Sequence, residues 1–157
     1  MKTRQKGFTL VEILIVIGII GLILSLLVIS LNSKQQQIRD SKRISDMQTL
    51  RSALEVVKNE TGGYDQAYCD LTFVSLCAKK ENSMLFKVMP GLVKTNDPKV
   101  LDVKCSNADA CANKGCNYSI TRLEPTDYEI LFHLEKGVDE FNLEGCYKVT
   151  PAGIIKM

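Results

Sequence analysis

From residue 13 to residue 31 the chain carries no charged side chain, and the run ILIVIGIIGLILSLLVISL is long enough, at about 1.5 Å per residue, to cross a bilayer core of about 30 Å as one helix. Beyond it the pattern changes without a helix breaker, since the first proline stands at position 90. Ile44, Met47, Leu50, Leu54 and Val57 recur at three- and four-residue steps. Lys42, Arg43, Asp46, Arg51, Glu55 and Lys58 fall mostly around the other side, with Arg51 and Glu55 spaced for an i,i+4 pair. Gly62-Gly63 supplies a stop. These signals predict one helix over residues 8–61, about 80 Å long, apolar all round in its first half and amphipathic in its second.

The last third of the chain alternates instead. Tyr128, Ile130, Phe132 and Leu134 take turns with Glu129, Leu131, His133 and Glu135, which predicts a half-buried strand. Tyr118 and Ile120 predict a strand before it, Tyr147 and Val149 one after it, and residues 154–156 a short edge returning from the turn Thr150-Pro151-Ala152-Gly153. Residues 83–89 read as a short helix closed by Pro90-Gly91, and Asn96-Asp97-Pro98 as a turn. The expected class is α+β: a long N-terminal helix with an antiparallel sheet of three or four strands laid across residues 44–60. The domain plan is a basic leader at 1–7, a transmembrane helix at 8–31, its amphipathic continuation at 32–62, and a cysteine-rich head at 63–157.

Charge removes one class of function. The formal net charge is +2, but Lys2, Arg4 and Lys6 lie in the leader, and without them 17 basic side chains face 18 acidic ones. A general nucleic-acid-binding role thereby loses its electrostatic support. Lys34, Arg39, Lys42 and Arg43 read as a basic patch for headgroups and neighbouring subunits rather than for DNA. No nucleophile elbow, phosphate loop or H-E-x-x-H is present, so no enzyme and no cofactor are expected. His133, the one histidine, falls on the polar side of its strand, as a solvated or edge residue. Residues 135–144 gather Glu135, Asp139, Glu140, Asn142 and Glu144; their spacing departs from a dedicated calcium loop and reads as a solvated acidic turn, with calcium left open. Asn117-Tyr118-Ser119 is a glycosylation sequon by pattern. The six cysteines, Cys69, Cys77, Cys105, Cys111, Cys116 and Cys146, point to disulfides, with fifteen connectivities open. Zinc is the weaker reading, because no C-x-x-C occurs.

Glu12 is the residue that needs a reason. A carboxylate at the start of a bilayer-length apolar run costs about 2.5 to 3.5 kcal/mol on insertion scales. Gly18, Gly21, Ser25 and Ser30 add small residues that let another helix approach. The stretch Lys6-Gly7-Phe8-Thr9-Leu10-Val11-Glu12, behind a basic leader and ahead of the uncharged run, resembles the processing and assembly signal of the type IV pilin superfamily. The resemblance implies cleavage between Gly7 and Phe8 by prepilin peptidase, N-methylation of Phe8, and Glu12 as the assembly residue that meets a neighbour's Phe8 amine. It covers the first 60 residues strongly and the head only in its layout, through LFKVMPGLVKTNDPK.

What this resemblance implies is a structural subunit of a type IV pilus-like filament. Held in membrane lipid with its N-terminus in the cytoplasm, the subunit would be drawn by inner-membrane assembly machinery into a homo- or heteropolymer with other pilin-like subunits at the cell surface. A type II secretion pseudopilin is the alternative, and a solitary membrane-anchored binding module is the rival from another class. The cysteine-rich head favours the surface pilus; the lack of proline in residues 25–31 departs from many main subunits of both filaments. By analogy with C-terminal bridges in many pilins, Cys116 is expected to pair with Cys146, leaving Cys69 with Cys77 and Cys105 with Cys111.

Overall fold

In the computed structural model, residues 7–67, 69–79, 83–107, 111 and 115–157 are described, without the side chains of 26–30 and 78. The leader cations Lys2, Arg4 and Lys6 and the side chain of Ser30 therefore lie outside the described residues. Helix α1 is Leu10–Thr61. Contacts divide the chain into Met1–Gln35 and Gln36–Met157. In the first unit the apolar side chains stand open, Ile17 at 60% and Leu22 at 68% exposure. Among the described residues no helix is long and apolar enough to cross a membrane. The apolar run whose side chains are described without a break ends at Ser25, short of the roughly 20 residues that a span requires, and residues 26–31 continue that run in the sequence.

In the second unit the predicted stripe is the core. Ile44, Met47, Leu50, Leu54 and Val57 are all buried, together with Ile120, Tyr128, Ile130, Phe132, Leu134, Tyr147 and Val149. Gly62, at φ +91°, closes α1, its N–H donating to the Lys58 carbonyl at 2.8 Å, a left-handed turn that only glycine takes without strain. Short 3-10 turns at Tyr64–Ala67 and Val74–Lys79 lead to helix α2, Met84–Val88, whose N-cap Ser83 accepts from the Phe86 N–H, and to a further 3-10 turn at Pro90–Lys94. Then comes an antiparallel meander in the order β1-β2-β3-β4, with β1 Ser119–Leu123, β2 Tyr128–Leu134, β3 Gly145–Thr150 and β4 Gly153–Lys156. In β2, Ile130 pairs with Ile120 on one side and Val149 on the other.

The sheet differs from the half-buried expectation in having a second covered face. Leu131 is buried with Cys105, Cys111, Cys116 and Cys146, while Ile130 and Phe132, pointing the opposite way by strand alternation, join the helix-side core. His133 is correspondingly buried rather than solvated. Arg43, expected on the polar side of α1, is 1% exposed. The expected Arg51–Glu55 pair gives way to longer-range partners: Arg51 Nη2 donates to the Pro151 carbonyl at 2.9 Å, and Glu55 accepts from the Tyr64 hydroxyl at 2.7 Å.

Candidate functional site

Gly7, Phe8 and Thr9 precede α1 as an open segment, with Phe8 79% exposed. Nothing lies within 4 Å of where a Cβ on Gly7 would sit, so this chain places no steric demand for glycine there. Thr9 is the residue ahead of the first helical turn. Its Oγ1 accepts from the Glu12 N–H at 3.2 Å, and Glu12 Oε2 accepts from the Thr9 N–H at 3.5 Å. This is the reciprocal capping box, in which a threonine and a glutamate three residues on satisfy N–H groups that a helix start leaves bare. Glu12 also sits at the positive end of the helix dipole. The pattern T-x-x-E is legible in the sequence and explains why α1 begins at Leu10 rather than Phe8. Glu12 thus has a local role that a reading based on charge pairing alone misses.

A second constellation lies where the other unit begins on α1. Arg43 Nε and Nη2 donate to Asp97 at 2.6 and 3.0 Å, and its Nη1 donates to Asp40 at 2.7 Å and Glu135 at 2.8 Å. Burial works against the Arg43 charge, but the Asp97, Asp40 and Glu135 carboxylates outweigh it and raise its pKa above the ordinary arginine value. Glu135 is gripped by Arg39 through two bonds of 2.7 Å and reached by Lys99 at 3.0 Å. The Arg39 contact, with Lys99 and Arg43 behind it, holds the Glu135 carboxyl well below the usual carboxylate range despite its burial. Asp40 is fully buried, and the successive N–H groups of Glu135, Lys136 and Gly137 point at its carboxylate from 3.0, 2.8 and 2.9 Å. Gly137 makes that cradle possible: its φ is +86°, and a Cβ there would run into the Phe141 carbonyl. The cluster fastens the loops after Asp97 and after β2 to one turn of α1. Removing one charge of such a cluster leaves its partners buried and uncompensated.

This arrangement dissolves the predicted basic patch. Arg39 and Arg43 are engaged by the cluster, Lys42 pairs with Asp46, and Lys34 also has a partner. The acidic loop is divided as well: Glu135 turns into the cluster, whereas Asp139, Glu140, Asn142 and Glu144 remain exposed. Asn117 is 2% exposed, its amide donating to Asn96 and to the Leu101 carbonyl, so the sequon does not present an acceptor.

All six cysteines form disulfides: Cys69–Cys77, Cys105–Cys116 and Cys111–Cys146. Cys105, Cys111 and Cys116 lie close enough to suggest a metal site, but their sulfurs are taken. The expected Cys116–Cys146 and Cys105–Cys111 pairings are corrected by the strand order. Cys116 lies just before β1 and Cys146 lies in β3, with β2 between them, and each is bonded to another cysteine of the loop ahead of β1. Cys105 reaches Cys116 because Lys104 bridges to Asn117, and Cys111 reaches Cys146 with Cα atoms 5.5 Å apart.

Comparison with known proteins bears on the N-terminal segment. A family profile described as the prokaryotic N-terminal methylation motif matches residues 2–28. The chain is 38% identical over 63 residues to type II secretion system core protein G of Aeromonas hydrophila, a stretch that is 40% of this chain and 44% of that protein. Similarity to the core protein G of Dickeya chrysanthemi is 39% over 64 residues, 41% and 42% of the two chains. For that of Escherichia coli (strain K12) it is 39% over 61 residues, 39% and 42%. The chain thus spans less than half the length of these curated relatives, and no solved structure matches it. It carries a prepilin-type N-terminal methylation motif, and it shares a homologous segment with type II secretion system core protein G.

Proposed function

We propose that this chain is a structural subunit of the pilin-like filament of a type II secretion system, rather than of the surface pilus that its cysteine-rich head favours. The observation that carries the choice is its similarity to core protein G of several bacteria. No catalytic role is part of this reading.

The motif from Lys6 to Glu12 and the exposure of Gly7 and Phe8 support the following steps. Prepilin peptidase cuts the exposed Gly7–Phe8 bond, adding water across it, and the new Phe8 amine is methylated. Until assembly the apolar run of residues 8–31 rests in membrane lipid, with the leader on the cytoplasmic side. In the filament Glu12 approaches the Phe8 amine of a neighbouring subunit, and pairing offsets part of the cost of taking both charges out of water. A subunit out of register would leave a charge unpaired, so the pair sets the axial step. Close packing at Gly18 and Gly21, which have open space around them in the isolated chain, lets the helices approach. Assembly machinery of the inner membrane and other pilin-like subunits are the partners.

Deleting the gene in its own bacterium tests the choice of filament. Secretion substrates should accumulate in the periplasm while surface pili persist. Loss of surface pili with secretion intact would return the chain to the pilus.

A further inference from the structure

Along α1 a groove of about 410 Å³ opens against the loop after β2. Its floor is Ile44, Val138 and Phe141, its wall includes Gln48, and its lip carries Asp139 and Glu140. It continues past Gln48, Glu140 and Phe141 into a second cavity of about 330 Å³ bounded by Arg51 and Ile154. Asp139 and Glu140 are exposed, and neither has a cationic partner among the described residues. The lip is therefore two unneutralised carboxylates beside an apolar floor.

Exposed cations without a carboxylate partner among the described residues stand on the same head. Leu85 in α2 and Leu92 in the following 3-10 turn are both fully buried and pin that segment to the core. Two residues beyond each anchor stand Lys87 and Lys94, exposed and without a carboxylate partner among the described residues, with Val93 54% exposed between them. A lysine can lay its aliphatic stem on an apolar floor and keep its ammonium at an acidic lip.

We propose that the groove is the seat for the Lys87–Lys94 segment of a second copy of this chain. Val93 would meet Ile44, Val138 and Phe141, and the two ammonium groups would meet Asp139 and Glu140. Charge complementarity, with Val93 exposed between the two lysines, supports this occupant. Groove and ridge are different patches of one molecule, so their contact is head-to-tail and repeats without closing unless the rotation makes a ring, which is the symmetry a filament needs. The inference rests on the filament reading above and adds to it a contact between heads.

Charge reversal tests it in the full chain. Asp139→Lys with Glu140→Lys should lower the yield of sheared filaments about tenfold or more, because like charges then face each other. Lys87→Glu with Lys94→Glu should do the same. Combining all four substitutions should restore yield to within about twofold, since the pairing is regenerated with its signs exchanged. The thermal midpoint of each purified full-length variant in detergent, unchanged from wild type, shows that folding is not the cause. Carbodiimide coupling of wild-type filaments should join Lys87 or Lys94 to Asp139 or Glu140 between chains. Wild-type yield from either reversed pair, no recovery in the fourfold variant, or coupling of Glu140 only to a different protein would overturn the docking while leaving the filament reading intact. If wild type itself forms no filament under conditions of active secretion, the filament reading falls and this contact falls with it.

Discussion

Glu12 caps α1 and, in the function proposed above, also meets a neighbour's Phe8 amine; a substitution can separate the two. Glutamine serves at the third helical position of a capping box, so Glu12→Gln keeps the α1 start while removing the charge. We expect Glu12→Gln to retain helicity and to assemble as poorly as Glu12→Val. Normal filament yield from the glutamine variant, with failure of the valine one, would make Glu12 a cap and nothing more. Arg43 offers a contrast within one cluster. Arg43→Met leaves Asp40 and Asp97 buried without their cation and should cost the head about 3 to 5 kcal/mol in denaturant unfolding. Lys99→Met, removing a cation whose side chain is 56% exposed, should cost about 1 kcal/mol or less. Stability should also depend on pH in two windows. Burial, with Arg43 nearby, pushes His133 below its ordinary 6.5, so the unfolded chain binds that proton first and stability falls as pH drops through 6.5. Glu135 is held below its ordinary 4.5, so its contribution is present above pH 4.5 and is lost progressively beneath it. His133→Gln should flatten the first window and leave the second, as a series of denaturation midpoints would record.

Strand order explains the disulfides, and the disulfides explain the second face of the sheet. Leu131 and His133 are buried because the loop ahead of β1 is stapled over them, by Cys105–Cys116 on itself and by Cys111–Cys146 to β3. Cys111–Cys146 joins residues 35 apart and should contribute about 4 kcal/mol in the chain-entropy model, against about 2.5 for Cys69–Cys77 with its separation of 8. Replacing Cys111 and Cys146 by alanine should therefore lower the denaturation midpoint more than replacing Cys69 and Cys77. Non-reducing peptide mapping gives the connectivity directly, and a peptide linking Cys116 to Cys146 would contradict the strand order. In α1 the buried apolar stripe carries the packing. Leu50→Ala, at a fully buried position, should cost about 2 to 5 kcal/mol through lost burial and a residual cavity.

For the assembled protein the first measurement is mass. Mature chain recovered from filaments should lack residues 1–7 and carry one additional methyl group, and retention of Met1 there would exclude processing at Gly7. The isolated chain leaves open space around Gly7, so in the proposed function a demand for glycine there comes from the peptidase. Gly7→Leu should accumulate as a membrane-bound precursor whose head unfolds at the wild-type midpoint.

Local rules made much of this protein legible in its sequence. The three- and four-residue spacing of Ile44 to Val57 required a helix with one buried face, Gly62 ended it, and alternation over Tyr128 to Leu134 required a strand, because each follows from backbone geometry acting on near neighbours. The motif from Lys6 to Glu12 was equally plain, being contiguous; its capping box was there to be read as T-x-x-E. Other features depend on partners far apart in the chain. Arg43 and Asp40 look like solvent-facing residues of an amphipathic helix until Asp97 and the loop after β2, more than 50 and 90 positions away, arrive to satisfy them. Likewise His133 and Leu131 alternate as an outer face should, and only the stapled loop that covers them makes that face inner. Six cysteines permit fifteen pairings until the meander puts β2 between Cys116 and Cys146, and a count of residues carries no information about which strands are neighbours.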